Sequence, residues 1–436
     1  MPEAGIVVVA TSPPASSRGT MTPPPGGRSR AVKRRGSLVR VTRLVCLAAL
    51  VAPALLTFRP NAVEGRVRAA ARPFEFHLVS WEAEQLRARL PALFGQLRRP
   101  PAAGVPVATA ADASTVQGFF AAVAEWRRAR AAGASADEVQ ALRAAWEAQA
   151  PDAQAAISRS LAVLASQQGL TTASPLGTLL LPPASFDVTE PPRVLVVSPR
   201  ERVEVAQSIL LRPDVTRADA EALEREVDEL GVSSLVIAIG GIATYPAIVP
   251  LQASPVDTLS AVAHEWLHGY LFFQPLGRAY FASYDARTLN ETVANLGGRE
   301  LGRLLAAAYG LPTSEPAAST AADNASGFNF RQEMQATRQR LNALLTDGHV
   351  EEAEQYLEAR RHEFVAAGYP IRKLNQAYFA FNGSYGDSPA AVSPLDGQVR
   401  ALRADSPNLG AFLRRVGQMT SSADVAAAVG DSAGGS

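Results

Sequence analysis

Apolar side chains recur at helical intervals through much of the first half of the chain. Trp81, Leu86, Leu90 and Leu93 mark one face, and Val116, Phe119, Phe120, Val123 and Trp126 a second. Val139, Leu142 and Trp146 predict a third helix ending at Pro151, and Ile157, Leu161 and Leu164 a fourth that closes at Gly169. After Pro182-Pro183 and Pro191-Pro192 the pattern changes to short β-branched runs: 193–198, 203–210, 234–239 and, after a Gly240-Gly241 turn, 242–249. Thr216 with Asp219 three residues on opens a helix that Gly231 closes. The helical period returns from Asp257, a candidate N-cap, to Phe273, and from Leu289 to about Tyr309. A helical hairpin follows, 334–345 and 350–364, turning at Asp347-Gly348.

This order predicts an α+β fold: a helical region, a small mixed sheet with an edge strand, two apolar helices and a mostly helical C-terminal part. Pro246 assigns the last strand to a sheet edge, because proline cannot donate to a ladder. The divisions read as a basic tail over 1–40, a membrane-directed segment over 41–58, a helical region over 59–181 and a core over 182–310. A helical subdomain over 311–419 and a tail over 420–436 complete the chain. The stretch 310–327, rich in Pro, Ala, Ser and Thr, reads as a loop.

The membrane-directed segment follows from charge and length. Lys33, Arg34, Arg35, Arg40 and Arg43 precede the apolar run 44–58, the layout of an export signal. Fifteen helical residues span about 22 Å, short of a hydrocarbon core of about 30 Å, but Arg59-Pro60-Asn61 offers no clean cleavage site. We expect a single-pass anchor with the remainder outside the cytoplasm; a secreted protein with its signal removed is the alternative. The one cysteine, Cys46, lies in this segment, so the folded part has no disulfide and no cysteine ligand. A net charge of +1 gives no basic surface excess and argues against a nucleic-acid partner.

The chemistry concentrates at His264-Glu265-Trp266-Leu267-His268. Two histidines four apart on a helix leave the same face and can meet one metal ion, and the glutamate after the first can approach a metal-activated water. The chain has 5 His, so this spacing is rarely accidental, and an apolar helix carrying Glu265 and both histidines would need something to compensate them. A catalytic Zn2+ needs a third protein ligand. The three-histidine extension fails, with Leu271 at its glycine and Gln274 at its last histidine. Downstream, Glu291 and Asn295 share a helical face: Glu291 is placed to ligate and Asn295 to orient a ligating histidine. Asp285 is a rival third ligand.

The two segments together, over about 257–309, resemble the active site of gluzincin metallopeptidases, thermolysin-like and aminopeptidase-like zinc enzymes. The resemblance implies His264, His268 and Glu291 as zinc ligands, Glu265 as general base and a zincin-like catalytic domain. The spacing from His268 to Glu291 is longer than in the best-known members, with Gly277 and the aromatic stretch 280–284 between. It also implies an edge strand that pairs with an extended peptide, sought here at 241–244, and a side chain that stabilises the oxyanion. Tyr385, on a glycine-flanked turn in a stretch similar to bacterial putative aminopeptidases, is the candidate; Tyr378 and Tyr284 are its rivals. The expected partner is a peptide or protein substrate. The competing expectation is a membrane-anchored binding protein with a structural zinc, which requires a fourth ligand that the sequence does not offer near this helix. His77, His349 and His362 are assigned no role.

Overall fold

The computed structural model describes residues 62–98, 104–174, 177–314, 328–385, 388–390 and 393–434. The tail and membrane-directed segment expected over 1–58 lie outside these residues, as does most of the loop expected over 310–327. Among the described residues no helix is long and apolar enough to cross a membrane.

Four helices come first: α1 (Ala62–Ala71), α2 (Leu78–Arg98), α3 (Ala110–Ala131) and α4 (Ala136–Gln167). A reciprocal capping box between Thr109 and Asp112 starts α3. The expected break at Pro151 is absent, and α4 runs through it. Trp146, Ala150, Ala153, Ile157, Leu161 and Leu164 are buried along one face while Pro151 is exposed. An internal proline costs about 3 kcal/mol, and burying four large side chains at about 1.5–3 kcal/mol each outweighs it.

The strands are short. β1 (Thr172–Ser174) and β2 (Gly177–Leu179) form a hairpin, and β3 (Phe186–Val188) pairs in parallel with β7 (Ala247–Val249). A three-stranded antiparallel sheet has β4 (Arg193–Pro199) between β5 (Gln207–Leu211) and β6 (Val232–Ala238), with α5 (Arg217–Asp228) connecting the last two. Both faces of β4 are covered. Leu195 and Val197 pack with α1 and α5, and Val194 and Val196 with Ala377, Phe381 and Tyr385. The strand expected from Val203 begins only at Gln207. The one expected over 242–249 shrinks to β7, because Thr244 N–H turns back on the Ile242 carbonyl and Ile242 is left with a single bridge to Ile248.

The remaining elements are helices: α6 (Pro255–Phe272), α7 (Pro275–Arg278), α8 (Tyr284–Ala308), α9 (Phe330–Thr346), α10 (Val350–Ala366), α11 (Gln376–Asn382), α12 (Leu395–Ala404), α13 (Leu409–Val416) and α14 (Ser422–Gly434). The cap of α6 is Ser254, with Pro255 in the first turn, and Asp257, read as the cap, lies inside the helix. Helix α8 starts at Tyr284 behind Ser283, five residues before the first apolar periodic position, because Tyr284 in its first turn is exposed. The residues after 420, expected as a tail, form α14, which buries Val425. The largest core joins α3, α4, α6, α8, α12 and α13. It thus takes helices from both sides of Pro182. Arg127 on α3 also donates to the carbonyls of Gln252 and Ala253 at the entrance to α6.

Candidate metal centre

Helix α6 is apolar on nearly every side and therefore buried, and it carries His264, Glu265 and His268 inward with it. The three are 4%, 1% and 8% exposed, and Glu291 on α8 is 1% exposed. His264 and His268 stand one turn apart with their Nε2 atoms 3.0 Å from each other. Glu291 Oε2 lies 3.6 Å from Nε2 of His264 and 3.4 Å from that of His268. Among the described residues, these three side chains form the group able to hold a metal ion.

A seam of glycines brings the two helices to this distance. A Cβ added to Gly298 would lie 2.9 Å from His264 Cβ and 3.0 Å from its Cα and N. One added to Gly302 would lie 2.6 Å from the Ser260 backbone, and one on Gly297 2.8 Å from Leu267 Cδ1. The helices therefore meet backbone to backbone, which only residues without side chains permit. Leu289, Val293 and Leu301 of α8 are buried in the same core as Leu259 and Leu267 of α6 and fix the rotation.

Tyr280, in the connection after α7, donates a 2.6 Å hydrogen bond to Glu291 Oε1. Its ring stands edge-on to His268 at 6.1 Å. The second carboxylate oxygen, Oε2, is buried without a hydrogen-bond donor, as are both oxygens of Glu265. Burial alone would raise the Glu291 carboxyl, but His268, His264 and the Tyr280 hydroxyl more than reverse it and hold the group ionised below its ordinary value. Burial, then the charge of Glu291, raises Glu265. Burial, and then the neighbouring His268, lowers His264 to about 3, so its ring is neutral, and the backbone of Ala294 accepts from it. A neutral ring that donates through one nitrogen offers the other as a lone pair.

This donor set fits a metal ion. Ligand atoms bound to a tetrahedral zinc at 2.0–2.1 Å are about 3.3 Å apart, close to the three separations found. The Glu291 Oε2 has no donor, and the two imidazole Nε2 atoms beside it meet only each other, so an ion would give all three a common partner. The set suits a divalent transition-metal ion.

The remaining sequence candidates separate. Asp285 is in the first turn of α8, where its carboxylate accepts the Ser422 N–H at 2.7 Å, away from the three-ligand group. Asn295 is half-buried on α8, and the backbone next to it, that of Ala294, serves His264. Tyr385 is buried beyond α11, where it packs with Phe381 and with Val194 and Val196 of β4, and burial followed by the charge of Glu291 raises its phenol. Tyr284 is partly exposed, burial of its phenol raises it against the opposing charges of Arg338 and Arg287, and Tyr378 packs between the sheet and the α9–α10 hairpin. In the stretch 241–244, Ile242 spends its N–H and carbonyl on Ile248 and Thr244. Gly241 instead faces the general-base candidate: a Cβ there would lie 2.2 Å from Glu265 Oε1. Sequence reasoning missed the glycine seam and Tyr280. Gly298-x-x-x-Gly302 was a readable signal of close helix packing, whereas nothing local marks which tyrosine reaches Glu291.

No protein-family model matches the chain, and no match is found among curated proteins or solved structures.

Proposed function

We propose that the protein is a zinc-dependent hydrolase of the gluzincin type that cleaves peptide bonds. One observation carries this reading: Glu291 turns an unpartnered, buried Oε2 towards two histidine Nε2 atoms while Tyr280 occupies its other oxygen. Among the described residues no fourth His, Cys, Asp or Glu joins the three, which leaves a coordination position for water or substrate as catalytic zinc sites do. When bound, zinc polarises a carbonyl and lowers the pKa of a water towards about 7.

The chain's own residues would supply the rest. Glu265, buried next to His264 and under Gly241, is placed to take a proton from the attacking water and return it to the leaving amine. Its burial raises its proton affinity, which suits a group that must hold that proton between the two steps. Tyr385 would donate its phenolic hydrogen to the oxyanion.

The test is zinc content together with hydrolysis of a peptide library by the full chain and by Glu265→Gln. About one zinc in both proteins, with turnover only in the first, is the expected result. A folded protein that takes up no zinc when it is supplied, or full activity in Glu265→Gln, would overturn the proposal.

A further inference from the structure

Arg287 stands one helical turn before Glu291 on α8, so both leave the same side of the helix. Its guanidinium lies over the ring of Tyr280, 5.4 Å from the centroid, and that tyrosine is the one bonded to Glu291. The Arg287 Nε is buried with no acceptor, and among the described residues no carboxylate forms an ion pair with this side chain.

That combination is costly, because a buried guanidinium nitrogen left unpaired forfeits its hydration and gains no bond in exchange. Elsewhere in this protein the same edge of an arginine, Nε with Nη2, is filled by a carboxylate. Arg200 holds Glu354 at 2.8 and 2.6 Å in this way, and Arg403 holds Glu300 at 2.8 Å twice. The Nε of Arg287 has no such acceptor, although a guanidinium is able to offer a carboxylate two parallel bonds. The aromatic ring beneath keeps the plane of the fork from turning freely.

We propose that Arg287 is a specificity-determining residue that binds a carboxylate of the substrate close to the bond that is cut. This rests on the peptidase reading above and narrows its substrate class to peptides with an anionic group near the scissile amide. The carboxylate is either the C-terminus of the peptide or an acidic side chain. In both cases the carboxylate would approach the half-buried guanidinium and supply the acceptor that Nε lacks, while the reacting carbonyl is positioned at the metal.

The experiment uses the zinc-loaded full chain and three peptides: acetyl-Ala-Ala-Phe-Ala with a free carboxyl group, its C-terminal amide, and the amide with Glu replacing the last Ala. Hydrolysis is measured as kcat/KM, and binding is measured calorimetrically with Glu265→Gln. One or both charged peptides should be preferred over the neutral amide by about tenfold or more, and which one identifies the source of the carboxylate. In Arg287→Met the preference should fall to about one with zinc content unchanged, and Arg287→Lys, which keeps the charge but loses the fork, should recover only part of it. Equal binding and cleavage of charged and neutral peptides, or a preference that survives in Arg287→Met, would overturn the proposal while leaving the peptidase reading standing. If the zinc-loaded protein neither binds nor cuts any of the three, and the peptide library too is left uncut, the peptidase reading falls and this inference falls with it.

Discussion

Gly298 of α8 lies directly against the backbone of His264 on α6, so close that a methyl group there would overlap the histidine's Cβ, Cα and N. The distance between a ligand histidine and the helix that brings Glu291 is therefore set by the absence of a side chain. Gly298→Ala should force the helices apart, lower stability by about 1–3 kcal/mol and weaken zinc binding. Thermal unfolding without metal and zinc titration against a chelator would measure the two effects separately. An unchanged zinc affinity would mean that the seam does not set the site.

Tyr280 holds one oxygen of Glu291 and so decides which oxygen faces the histidines. Tyr280→Phe keeps the ring and its edge contact with His268 but loses the hydroxyl. Zinc affinity should fall by about 10- to 100-fold, as is usual when the partner of a metal ligand is removed. Competition with a chromogenic chelator would read this directly, and wild-type affinity in the variant would remove Tyr280 from the site.

Metal removal should destabilise the whole core that α6 and α8 share. An ion that binds only the folded state adds about 2.7 kcal/mol at a free concentration of one hundred times its Kd. The melting temperature should rise with added zinc and fall with a chelator. In Glu291→Ala this dependence should be strongly reduced, and a full response there would displace Glu291 as a ligand.

Glu224 is buried and bound by both terminal nitrogens of Arg372, at 2.8 and 2.5 Å, and by the N–H of Val236 at 2.6 Å. The pair ties the segment before α11 to the sheet, and α11 leads to Tyr385. Removing one partner of a buried pair costs about 3–5 kcal/mol when the other charge is left uncompensated, and here Lys373, 3.7 Å from Glu224, would compensate part of it. Arg372→Met should lower stability by an amount at the low end of that range, because the arginine is partly exposed. Urea unfolding would measure it, and a loss below about 1 kcal/mol would assign the pair to the weak surface class.

The local chemistry of the site was legible in the sequence because it is a property of one helix. His264, Glu265 and His268 are held by a spacing of one turn, and any helix through those residues places them together. The capping box at Thr216 and Asp219 and the hairpin of α9 and α10 were legible for the same reason. Where packing outweighs local preference the reading failed. Pro151 did not end α4, and the alanine-rich residues after 420 became a helix against a core they could not reveal alone.

The sequence by itself determined two histidines one turn apart with a glutamate beside them, an apolar helix to carry them inward, and an acidic position on a second helix. Only the tertiary structure decided that Glu291 rather than Asp285 meets the histidines, that Tyr280 orients it, and that Arg287 lies over the Tyr280 ring with its Nε unpaired. The reason is physical: contacts within a helix follow from its period, whereas contacts between helices depend on how closely two backbones approach. Here that approach is set by the fit of Gly298 and Gly302 against residues nearly forty positions away.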